Sequence, residues 1–112
     1  MRFSKETKNG VHIFKLMEIK LDTSNSGLLK GELSDSISHL NIKKMILDLC
    51  EVINCDSSGL SVLLVAKRLI DDNDGSIVIV PSEKIKKLIE ITKLDRALQI
   101  SGSVESAMLM LE

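Results

Sequence analysis

The sequence predicts an α/β domain, with a mixed, mostly parallel sheet of about five strands and about four helices. Three observations carry this. Short β-branched apolar runs alternate with longer segments whose apolar residues recur at helical spacing, the pattern of a parallel sheet crossed by helices. One run, Met45-Ile46-Leu47-Asp48-Leu49-Cys50, is too continuously apolar to face water on either side. A single Asn-Gly, Asn9-Gly10, lies between two candidate strands and adds an antiparallel hairpin at the start.

Taken in order, the hairpin joins Phe3–Lys8 to Val11–Met17. In the second strand Val11, Ile13 and Leu16 or Met17 are expected on the core face, with Phe14 as an irregular step. Asp22, Thr23 or Ser24 is then expected to cap a helix reaching about Ser38, with Leu29, Leu33 and Ile37 as its apolar stripe. Gly27 and Gly31 weaken that helix by about 1 kcal/mol each relative to alanine, a cost that close packing would explain.

The central strand follows, then the segment Asn54-Cys55-Asp56-Ser57-Ser58-Gly59-Leu60, then a helix from Leu60 to about Asp71. That helix is apolar around most of its circumference, so it packs on two sides or meets a partner on one. Asp71-Asp72-Asn73-Asp74-Gly75 reads as a solvated turn, since it lacks the spacing and distal glutamate of a calcium loop. Ser76–Val80 is a β-branched strand stopped by Pro81. Pro81-Ser82-Glu83 opens a helix with Ile85, Leu88, Ile89 and Thr92 along one face. Leu98-Gln99-Ile100 is a short strand, and Ser103 starts a last helix with Val104, Ala107, Met108 and Leu111 inward. The order is β-β-α-β-α-β-α-β-α.

With 112 residues the chain suits one domain, residues 1–112, and one core. Apolar residues make up 44% and charged residues 28%, a globular composition. A net charge of -1 and only two aromatic residues, Phe3 and Phe14, argue against direct nucleic-acid binding. No apolar run reaches the roughly 20 residues of a membrane span, and the N-terminus has no signal-peptide core. Cys50 and Cys55 form no CxxC pair and are expected as reduced, buried core residues of a cytoplasmic protein. His12 is expected on a strand face and His39 in a loop. Neither stands at metal-ligand spacing or beside a nucleophile, and there is no Gly-rich phosphate loop or Gly-x-Ser-x-Gly frame, so no catalytic residue, metal or cofactor is expected.

The chemistry concentrates at Asp56-Ser57-Ser58-Gly59, where a strand turns into a helix. Asp56 caps the helix, Gly59 permits another molecule to approach, and the helix N-terminus favours an anion. A phosphate on Ser58 or Ser57 would be tolerated by the fold and visible from outside, which marks the corner as a candidate phosphoserine switch. Exposed apolar residues of the following helix, Leu60 and Leu64, are candidates for a partner surface. Asp-Ser-Ser-Gly alone is also an ordinary cap and turn composition.

The element order, Leu21-Asp22 before the first helix, Leu47-Asp48-Leu49, Asp56-Ser57-Ser58-Gly59-Leu60, and Pro81-Ser82-Glu83-Lys84-Ile85 with Leu94-Asp95 resemble the STAS domain over essentially the whole chain. More narrowly the chain resembles the single-domain bacterial anti-sigma factor antagonists. The resemblance implies a STAS-like sheet and a partner-switching protein in transcription regulation. The unphosphorylated form would bind an anti-sigma factor that is also a serine kinase, releasing the sigma factor. Phosphorylation would end the complex, and a metal-dependent serine phosphatase would reset it. Ser58 matches the usual acceptor, with Ser57 as the fallback. Asp22, Asp56, Ser57, Gly59 and Leu60 would form the surroundings and partner contact, and a monomer that trades partners is the simplest state. Three positions depart from the family pattern: Ser61 where glycine is frequent, Cys55 where a larger residue is common, and Ile19-Lys20-Leu21-Asp22 in place of Gly-Glu-Leu-Asp. The alternative function for the same fold is the cytoplasmic subunit of a lipid-transport ABC system or a stress-signalling scaffold; a nucleotide-sensing module is a third.

Overall fold

In the computed structural model, which describes residues 1–112, the strands are β1 (Phe3–Lys8), β2 (Val11–Leu16), β3 (Lys20–Leu21), β4 (Lys44–Leu49), β5 (Asn54–Cys55), β6 (Ser76–Pro81) and β7 (Gln99–Ile100). The α-helices are α1 (Ser26–Leu40), α2 (Ser57–Asp72), α3 (Glu83–Ile91) and α4 (Val104–Met110), with a 3-10 turn at Leu94–Arg96. Five strands form one sheet in the order β1-β2-β4-β6-β7, and β3 pairs separately with β5. Only β1 runs antiparallel to its neighbour in the main sheet. Asn9 and Gly10 both adopt positive φ, 53° and 78°, the backbone that a two-residue hairpin turn of the right twist requires.

Apolar residues fill both faces of the sheet. Phe14, Leu16, Met45, Leu47, Leu49, Ile77 and Ile79 meet Leu29, Leu33 and Ile37 of α1, Val62, Leu63, Ala66 and Ile70 of α2, and Ile85 and Ile89 of α3. On the opposite face Val11, Ile13, Ile46, Val78 and Val80 lie under Ala107 and Leu111, with Val104 and Met108 of α4 packed against them. The sequence-based assignment of β2 is corrected by this. Leu16 shares the helix-rich face with Phe14, while Val11 and Ile13 face α4. Phe14 is therefore regular: strict alternation is lost to the eye because both faces are buried.

Other expectations shift too. α1 starts at Ser26, after Asn25, which makes no side-chain cap bond. The Asp22 carboxylate binds Ser24 instead. Gly27 and Gly31 have no heavy atom within 4 Å of where a Cβ would sit, so close packing does not explain them. Cys50 is exposed in the turn after β4 and Cys55 is half-buried; both are free thiols. His39 lies in the last turn of α1, bonded through Nδ1 to the Asp35 carbonyl at 2.8 Å. Thr92 ends α3 rather than lining its buried face, donating to the Leu88 and Ile89 carbonyls.

Candidate functional site

The site is a corner where two short parallel strands deliver two aspartates to the start of α2. β3 pairs with β5 in the register Lys20↔Asn54 and Leu21↔Cys55. The Ile19 carbonyl accepts from Ile53 N at 2.7 Å and Asn54 N at 3.0 Å, so the pairing begins one residue before the strands themselves. Asp22 and Asp56 each follow the last residue of one strand and emerge side by side.

Asp56 has extended backbone and its Oδ1 accepts from Gly59 N at 3.0 Å. Its carbonyl accepts from Leu60 N at 3.0 Å, the first bond of the helix. This is a side-chain N-cap. The cap acts on the backbone, however, and no bond joins the carboxylate to the hydroxyl of Ser57 or Ser58. α2 starts at Ser57, three residues before the expected Leu60 and directly after the expected cap, Asp56. Ser57 is exposed and Ser58 half-buried, and neither hydroxyl bonds within the chain. Ser61 is tied down, its Oγ donating to the Ser58 carbonyl at 2.7 Å.

Gly59 reverses its expected part. It is buried, and a Cβ there would overlap the Leu21 carbonyl oxygen and lie 2.5 Å from Cys55 Sγ. The close approach that glycine permits is made by the protein's own β3–β5 pair. It fixes the first turn of α2 against Leu21, and Leu21 leads directly into Asp22. Cys55 is wedged in the same contact. Burial, and after it the nearby Asp56 and Asp22 carboxylates, push its thiol up to about 11.

Asp22 is organised by its own loop. Oδ1 accepts from Ser24 N at 2.9 Å and from Ser24 Oγ at 2.5 Å, and these bonds hold the carboxyl below its usual range. Asn25 closes the loop, its Oδ1 accepting from Asp22 N at 3.0 Å and its Nδ2 donating to the Lys20 carbonyl at 2.8 Å. The structure thus brings Asp22, Asp56, Ser57, Ser58 and Gly59 to one corner. Leu60 is half-buried against the main core, whereas Leu64, one turn on, is 42% exposed. The all-round apolarity of α2 is mostly used inside, against the sheet and α1.

Sequence reasoning did not find the β3–β5 pair, Ile19 and Ile53 among its neighbours. Strands of two residues are too short to show a period. No cluster of three or more His, Cys, Asp or Glu residues is placed to hold a metal. No helix is long and apolar enough to cross a membrane.

The STAS domain family model matches residues 2–107. A Thermotoga maritima protein, provisionally named an anti-sigma factor antagonist, is 29% identical over 90 residues, covering 80% of each chain. The crystal structure of a Thermotoga maritima protein under that same provisional name superposes with a TM-score of 0.86 at 28% identity, covering 97% of this chain and 93% of that one. Phosphorylated SpoIIAA, a Bacillus cell-fate determinant, shares the fold at 18% identity, with a TM-score of 0.73 over 99% of this chain and all of its own length. The chain belongs to the STAS domain family.

Proposed function

We propose that this STAS domain is an anti-sigma factor antagonist. Unphosphorylated, it binds an anti-sigma factor that is also a serine kinase, and so releases a sigma factor. Phosphorylation at Ser58 ends that complex, and a serine phosphatase restores it. The protein itself catalyses nothing and acts in the cytoplasm, exchanging partners as a monomer. The observation that carries this reading is the unbonded pair of hydroxyls on the first turn of a capped helix, held beside two carboxylates. The relatives provisionally named anti-sigma factor antagonists support it. Ser57, the more exposed of the two, is the alternative acceptor.

The test is a pull-down from lysate of the native cell with wild-type and Ser58→Asp baits, read by mass spectrometry. Enrichment of a small histidine-kinase-like ATPase by wild type only is expected. Recovery of a permease or its ATPase by both baits would instead identify a subunit of a transport complex whose corner is a helix cap and nothing more.

A further inference from the structure

The pairing of β3 with β5 decides which side chains share the serine corner. Leu21 and Cys55 are in register and turn inward, Leu21 fully buried and Cys55 half-buried. Side chains alternate along a strand, so Lys20 and Asn54 take the opposite, outward face, the side to which Asp22 and Asp56 return. Lys20 therefore adds one positive charge to a face that carries two carboxylates.

The Lys20 side chain is exposed. The ion pairs of the chain are Arg2–Glu18, Lys5–Glu32, Lys15–Glu51 and Lys67–Asp71, so its ammonium has no carboxylate within ion-pair distance. Its charge still reaches Asp22. The two bonds from Ser24 come first in holding that carboxyl below its usual range, and Lys20 adds to them against the opposing effect of burial. Lys20 is also tethered near Ser58. Leu21, the residue after it, has its carbonyl carbon 3.0 Å from the place of a Cβ on Gly59, the residue after Ser58. Standard bond lengths along this path keep the Cα atoms of Lys20 and Ser58 within about 13 Å of each other. A lysine and a phosphoserine extended toward one another span most of that distance.

We propose that Lys20 is the counter-ion of the phosphorylated corner: it offsets Asp22 while Ser58 is free and turns to the phosphate once Ser58 carries one. The proposal rests on Ser58 being the acceptor in the reading above. Transfer of the γ-phosphoryl group of ATP to Ser58 Oγ releases ADP and a proton, and leaves about two negative charges at the start of α2. The flexible stem of lysine lets one ammonium serve either anion. Asp22 then loses its neighbouring charge at the moment the phosphate appears. The segment Ile19-Lys20-Leu21-Asp22 stands in place of Gly-Glu-Leu-Asp, so this device belongs to this chain and not to the family pattern.

The experiment places phosphoserine at position 58 of the full-length chain during translation and follows the phosphate by 31P NMR against pH. The backgrounds are wild type, Lys20→Met and Lys30→Met. Lys30, half-buried in α1 and also without an ion pair, is the comparison. A unit charge about 8–10 Å away in water lowers the second phosphate pKa by about 0.3–0.4 unit. Lys20→Met should raise it by that amount at low salt and by much less at 1 M salt, where the screening length is about 3 Å. Lys30→Met should leave it unchanged. The thermal midpoint of unmodified Lys20→Met should match wild type, since the side chain is exposed and unpaired. A phosphate pKa unchanged in Lys20→Met, or shifted in Lys30→Met alone, overturns this proposal and leaves the antagonist reading standing, because no kinase takes part. A wild-type pull-down that captures no histidine-kinase-like ATPase overturns both.

Discussion

Gly59→Ala tests the central piece of this geometry. Alanine is ordinarily the better helix residue, by about 1 kcal/mol in a helix interior. Position 59 lies in the first turn of α2, where that gain is at most partial. Against it, the new Cβ would overlap the Leu21 carbonyl oxygen, sit 2.5 Å from Cys55 Sγ and 3.0 Å from the Leu21 carbonyl carbon. Two of these atoms are backbone, held by the β3–β5 pair, and cannot rotate away. Overpacking of this kind costs about 1–3 kcal/mol, and a backbone obstacle places it at the upper end. The net is a destabilisation of about 2 kcal/mol, or a fall in Tm of about 8–16 °C for a domain of this size. Gly31→Ala is the internal control. It lies inside α1 with no atom within 4 Å of the new methyl, so it should raise stability by about 0.5–1 kcal/mol. Thermal and urea unfolding followed by circular dichroism read both. A Gly59→Ala protein that melts at or above wild type would refute the contact between α2 and β3.

Two further outcomes follow from the same corner. Asp56→Ala removes the carboxylate that accepts from Gly59 N and should cost about 1 kcal/mol, while Asp56→Asn, which keeps an acceptor oxygen, should cost only a few tenths; urea unfolding midpoints at constant m separate the two. The Cys55 thiol, pushed up to about 11, favours the folded state only while protonated, so its contribution is complete below the thiol range of the unfolded chain and is lost as pH rises toward about 11; the fall in wild-type stability over that alkaline window should be smaller in Cys55→Ala, measured by urea titrations at stepped pH.

Much of this architecture is legible in the sequence because burial writes itself into composition. β4 is apolar from Met45 to Leu47 because helices cover both of its faces, and β6 is apolar from Ile77 to Val80 for the same reason. Asn9-Gly10 specifies its turn through two positive φ angles. Asp56 is readable as a cap because few residue types satisfy a helix start. What is not legible depends on contacts between segments distant in sequence. Phe14 and Leu16 share a face by ordinary strand alternation, but the pattern is hidden because a second layer, α4, buries Val11 and Ile13 on the other face as well. The pairing of Lys20-Leu21 with Asn54-Cys55 leaves no periodic trace, although it decides where Asp22 goes. Gly59 shows the difference most clearly. Its sequence context suggests room for a visitor, and the space is already taken by Leu21.

That occupied space shapes how a phosphate on Ser58 would act under the proposed function. A phosphoryl group adds about -1.5 to -2 charges at neutral pH. The start of α2 favours such a charge by about 0.3–1 kcal/mol where exposed. Asp56 and Asp22 leave adjacent strand ends beside it and oppose it. The two effects are opposite in sign, so the carboxylates offset the favourable helix start. The corner also has nowhere to go, since Gly59 is packed on the backbone that carries Asp22 and the cap ties Asp56 to the same turn. A switch built this way works through what it presents. The dianion meets a partner surface that has just accommodated two carboxylates and a neutral hydroxyl. Desolvating the added charge in that interface is costly unless a cation waits for it. Release then follows from a local change in charge on a fixed scaffold, and the shape of the domain is conserved for the next round of binding.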